Sequence, residues 1–144
     1  MTSISSTRTG AGLLLGLTVI LAVRGATAAV AAERAQTGAA SWYGEDHRGL
    51  LMANGRPFDP DRLTAASWFY PLGTKLRVEV SVQVSRAATE RRAVLVTVTD
   101  RGPARELVAK GRVIDLSLAA FRHLKSPRQG LVAVSVRPIR KVER

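Results

Sequence analysis

Val94-Leu95-Val96-Thr97-Val98-Thr99-Asp100-Arg101-Gly102-Pro103 is the stretch on which the reading of this chain turns. Val94, Val96 and Val98 fall on one face of an extended segment, Leu95, Thr97 and Thr99 on the other, and β-branched side chains dominate. The pattern predicts a strand with a buried face. It stops abruptly: Asp100 and Arg101 stand at the strand end and Gly102-Pro103 turns the chain. A carboxylate at a rigid strand end is held at a fixed angle, which suits a site. The same pattern also describes a plain turn whose Asp accepts backbone N–H bonds. The run by itself leaves both readings open.

Working outward, Lys75 to Val84 alternates cleanly, with Leu76, Val78, Val80, Val82 and Val84 on one face. Ser85 to Arg92 reads as a polar hairpin connection back to the Val94 strand. Ala39 to Gly44, Val113 to Leu116 and Gly130 to Ile139 read as further strands, and Leu63 to Ser67 as a short stretch of small apolar residues. Ser117 is placed to cap a helix from Leu118 to about Lys125, ended by Pro127. Arg105 to Lys110 fits one helical turn. Asn54-Gly55 is a turn signal, and Pro57 and Pro60 exclude a regular helix or central strand around them. About six short strands without strand–helix alternation predict a mainly β chain, best closed as a small barrel.

The chain has 144 residues, a formal net charge of +11 and no cysteine. Arg8 precedes the uncharged apolar run Ala11 to Val23, which falls short of the ~20 residues that span a bilayer. It matches a secretory signal peptide over residues 1–28, with cleavage near Ala28 or Ala31. A flexible lead over residues 29–38, a domain over 39–139 and a basic tail over 140–144 follow. The expected location is the periplasm or cell wall, with no stable membrane anchor after cleavage. Without cysteine the chain cannot be a lipoprotein, and its fold relies on its core. Basic charge fits anionic wall polymers. The dispersed Lys and Arg, without aromatic interleaving, argue against nucleic acid. No His, Cys or Asp set has metal-ligand spacing and no cofactor motif is found. Oligomeric state is not legible.

Ala40-Ser41-Trp42-Tyr43-Gly44, Ala53-Asn54-Gly55, Phe58-Asp59, Leu63-Thr64-Ala65-Ala66, Pro71-Leu72-Gly73-Thr74, Thr99 to Pro103 and Ile114-Asp115-Leu116-Ser117 occur in this order. In this the chain resembles the rare lipoprotein A (RlpA-like) family of septal lytic transglycosylases, over about residues 39–138. The resemblance implies a mainly β fold, a six-stranded double-psi β-barrel with one or two short helices. It also implies non-hydrolytic cleavage of peptidoglycan glycan strands, leaving anhydro-muramyl ends. On this reading Asp100 is the general acid/base and Asp59 the supporting carboxylate. The chain departs from the family at Arg56, where Glu is usual, and at Ser67, where His is usual. These departures favour an alternative, a non-catalytic, expansin-like peptidoglycan-binding module.

Tyr43, Asn54, Arg56, Ser67, Trp68 and Arg101 are the candidate substrate-binding residues. Tyr43 and Tyr70 have polar tips suited to a groove wall, whereas Trp42 and Phe69 read as core. Asn54 fits either a sugar contact or a turn alone. His47 reads as an exposed loop residue, and His123 as structural. Asp115, between Ile114 and Leu116, reads as a structural carboxylate that caps the following helix or ties a loop.

Overall fold

The computed structural model describes residues 34–139. The leader read over residues 1–28 and the basic tail read over 140–144 lie outside the described residues. Six strands are present: β1 (Gln36–Tyr43), β2 (Thr64–Ala66), β3 (Lys75–Ser85), β4 (Ala88–Asp100), β5 (Arg112–Ser117) and β6 (Val132–Pro138). Two helices, α1 (Arg105–Val108) and α2 (Leu118–Leu124), complete the anticipated mainly β architecture. The strands close a barrel in the order β1-β5-β2-β4-β3-β6. β1 with β5 and β2 with β4 run parallel, and the other neighbours are antiparallel.

The barrel forms because each strand supplies an apolar face. Leu76, Val78 and Val80 of β3 and Val94, Val96 and Val98 of β4 fill the interior. Ile114 and Leu116 of β5 and Val132, Val134 and Val136 of β6 join them, and α2 adds Phe121 and Leu124. The Ser117 hydroxyl caps α2 by accepting the Ala120 N–H (3.3 Å), donates to Arg62 O (2.5 Å) and accepts the Thr64 N–H (3.4 Å). One buried hydroxyl thus joins β2, β5 and α2.

Three boundaries differ from the sequence reading. The barrel starts at Gln36, inside the stretch read as a lead, because residues 36–40 pair with β6 through backbone bonds that need no apolar side chain. The stretch Ser85 to Arg92, read as a loop, is mostly ladder, and only Arg86 and Ala87 turn between β3 and β4. Polar residues pair there because the hairpin tip is solvated on both faces, which also leaves Val84 54 % exposed. Finally, α2 ends at Leu124, and Pro127 instead opens a 3-10 turn.

A register shift positions the chemistry. Ala65 pairs with Val98 and Ala66 with Asp100, so Thr99 is an extra residue in β4. Strict alternation from Val94, Val96 and Val98 would carry Asp100 into the core. The bulge turns it to the outer face instead. Ala66 also pairs with Asp115, and Asp115 with Ser41. Ser41, Asp115, Ala66 and Asp100 therefore form one row across four adjacent strands.

Candidate active site

Asp100, Ala66 and Asp115 line a cleft of about 270 Å³. Tyr43, His47 and Leu51 wall it from the segment after β1, and Arg101 to Ala104 wall it from the loop after β4. Neighbouring strands lie ~4.8 Å apart, so the Asp100 and Asp115 backbones stand about 10 Å apart across the Ala66 methyl. A Cβ at Gly102 would come within 3.2 Å of the Ala66 Cβ and 3.7 Å of Asp115 Oδ2. Glycine at this position keeps the space above that oxygen open.

The two carboxyls have different surroundings. Asp100 Oδ1 accepts the main-chain N–H of Ala53 and of Arg101, each at 2.8 Å, which leaves Oδ2 for a ligand. Asp115 Oδ1 accepts the Ser41 hydroxyl and lies 3.8 Å from Arg112 Nη1. Burial outweighs both partners and pushes the Asp115 carboxyl above the ordinary carboxylate range. Tyr43 packs its ring 4.3 Å from Phe58 and 5.7 Å from His47, centre to centre. Burial first, then the charges of Asp100 and Asp115, hold its hydroxyl well above the usual tyrosine range. The neighbouring Thr64 hydroxyl acts the other way, but neither hydroxyl finds a partner at hydrogen-bond geometry.

The structure brings only some of the sequence candidates into this cleft. Asp100, Tyr43 and Arg101 line it, and so does His47. Arg101 also has an internal task, donating from Nη1 to Ser67 O (2.9 Å) and Tyr70 O (2.8 Å). Asp59 does not join Asp100: it lines a separate cavity, held by Arg48 at 3.1 Å and turned inward on the Asp61 N–H. Asn54 and Arg56 line that second cavity as well, with Asn54 Oδ1 accepting the Arg56 N–H (3.0 Å). Ser67 is fully buried, accepting the Phe69 N–H and donating to Val113 O, so it meets no ligand in either cavity. Trp68 stands outside the cleft, its Nε1 donating to Pro103 O (2.7 Å) and the Arg105 guanidinium 4.1 Å above its ring. Tyr70, expected at a groove wall, is a core residue whose hydroxyl reaches Arg34 O and Val136 O.

Asp115, read from sequence as a structural carboxylate, does hold Ser41 and Arg112, but it also lines the cleft, which the sequence reading did not anticipate. It neither caps α2, which Ser117 does, nor ties a loop. The available signal was alternation: an acid between the buried Ile114 and Leu116 in a strand must face outward. Which residues it faces depends on strand order, which no local pattern carries.

The family model described as lytic transglycolase, a double-psi β-barrel, matches residues 35–136. A Yersinia pestis protein named endolytic peptidoglycan transglycosylase RlpA is 45 % identical over 89 residues, covering 62 % of this chain and 22 % of its own length. A Synechocystis protein named probable endolytic peptidoglycan transglycosylase RlpA is 39 % identical over 95 residues, covering 66 % of this chain and 26 % of its own length. The chain thus spans about a quarter of these relatives. Among solved structures, the apo expansin of Clavibacter michiganensis is similar, with a TM-score of 0.51 at 26 % identity, covering 76 % of this chain and 52 % of that one. Since the family match runs through all six strands and both carboxyls of the cleft, the chain belongs to the lytic transglycolase family of double-psi β-barrels.

Proposed function

We propose that the chain is a lytic transglycosylase that cleaves peptidoglycan glycan strands outside the cytoplasm, in the periplasm or cell wall. The observation that carries this reading is the pair Asp100 and Asp115 on either side of Ala66, in one open cleft. Glycosidic cleavage without water needs a proton for the leaving oxygen and a base for the attacking hydroxyl of the same muramic sugar. Asp115, whose burial favours the neutral carboxyl, gives its proton to the glycosidic oxygen. Asp100, anchored through Oδ1, takes the hydroxyl proton on Oδ2. The C1–O bond to the next sugar breaks, the intramolecular C1–O6 bond forms, and the protons balance. Names of relatives support the substrate, and the apolar run Ala11 to Val23 supports export.

The test is release of anhydro-muropeptides from sacculi by the purified full chain. Asp100→Asn and Asp115→Asn are each expected to lower release by roughly 100-fold or more, with melting retained. Retained activity in Asp115→Asn together with loss in Asp59→Asn would restore Asp59 as the supporting carboxylate. A second reading, an expansin-like wall-binding module without catalysis, draws on the likeness to the Clavibacter expansin and on Ser67 and Arg56 lying away from the cleft. It predicts that the chain pellets with sacculi and releases nothing.

A further inference from the structure

A second cavity, of about 320 Å³, adjoins the cleft and shares only Met52 with it. Arg56 and Arg62 both line it. Neither makes an ion pair among the described residues, which holds for several other surface arginines too, but these two share one cavity. The cavity's one carboxylate, Asp59, is already engaged by Arg48 at 3.1 Å and by the Asp61 N–H at 3.0 Å. Asn54 spends its Oδ1 on the Arg56 N–H, so its amide nitrogen is left as a donor. Two guanidiniums and an amide donor on one cavity, without an acceptor of their own, supply the donor chemistry that a carboxylate takes.

The placement links this cavity to the cleft. The Ala53 N–H bonds Asp100 Oδ1 at 2.8 Å and the Asn54 N–H bonds Thr99 O at 3.2 Å. The loop carrying Arg56 is therefore fixed to the strand end that carries Asp100. We propose that this second cavity is a carboxylate subsite, holding an acidic substituent of a sugar beside the bond that Asp100 faces. The inference rests on the glycan-cleaving reading and names the part of the substrate that this site recognises. In peptidoglycan the acid has two sources, the lactyl group of a peptide-free muramic sugar and the carboxylates of a stem peptide.

Binding separates them. The full chain carrying Asp115→Asn, which is expected to slow cleavage and lies outside the second cavity, is titrated with chitotetraose, peptide-free glycan tetrasaccharide and peptide-bearing tetrasaccharide. At least one acidic ligand is expected to bind about tenfold tighter than chitotetraose. Adding Arg56→Gln and Arg62→Gln, both exposed positions, is expected to abolish that tenfold and leave chitotetraose binding unchanged. Tight binding of the peptide-free ligand assigns the lactyl acid, and tightening only with the peptide assigns the stem. Equal binding of all three ligands by the parent, or an unaltered preference after both substitutions, overturns the proposal. A wild-type chain that releases no anhydro product yet shows the arginine-dependent preference fails as a transglycosylase and keeps the subsite. Normal release without the preference fails the subsite alone.

Discussion

Asp100 bears out its turn reading, and the proposed chemistry uses the oxygen that the turn leaves over. Oδ1 is a turn carboxylate with two main-chain donors, and Oδ2 is the half available for chemistry. Its position was legible because the strand signal ends so sharply at Thr99. Asp115 was not, because its importance lies in facing Ala66 and Asp100, a relation set by residues fifteen and more positions away in the chain. Its raised pKa has a stability consequence. Between the ordinary carboxylate value and the raised one, the folded state binds more protons than the unfolded state, so stability falls as pH rises through that window. Above it the deficit is constant. Asp115→Asn removes the deficit, so its melting temperature is expected to exceed wild type by a few degrees at neutral pH. The gap should close below the ordinary carboxylate range, and thermal melts at two pH values check it. Stability and activity then move in opposite directions at one residue.

At the scale of elements, the Thr99 bulge separates a core residue from a site residue. Deleting Thr99 removes the bulge: ordinary alternation from the inward Val98 then keeps Asp100 outward but turns the Arg101 guanidinium toward the apolar interior, away from Ser67 O and Tyr70 O. The expected result is loss of activity and destabilisation by about 3 kcal/mol or more, read from urea denaturation. Ser117 is the other junction. Ser117→Ala removes the α2 cap and leaves Arg62 O and the Thr64 N–H without their hydroxyl partner. A cost of about 1–2 kcal/mol is expected, with the same denaturation curve as its check. The cap was legible from Ser117 standing before an apolar helical run. The extent of the β3–β4 hairpin was not, since residues such as Arg91 and Arg92 pair through backbone alone and carry no apolar alternation.

For the whole molecule, strand number and barrel closure followed from short alternating segments with turn signals between them, supported by motifs in family order. Which strands neighbour each other did not, because pairing is settled in three dimensions. The net charge of +11 gives a further expectation. Binding to sacculi should weaken steadily as salt rises from about 50 to about 500 mM, as the Debye length shrinks toward a few ångströms. Co-sedimentation across a salt series measures it. Strand order also governs how the molecule comes into being. β1 has two neighbours, β5 and β6, and the pairing of Gln36 with Val136 joins opposite ends of the described chain. During synthesis the first of the described strands waits, together with β3, for the last one. Until β6 has emerged, β1 lacks one of its two partners and the barrel stays open at that edge. Native closure is therefore a late, long-range event, slow by its topology and dependent on nearly the whole barrel being present. A nascent chain of this order stays open between β1 and β3 for most of its length, and the strands that carry Asp100 and Asp115 are locked into a closed ring only once β6 has paired.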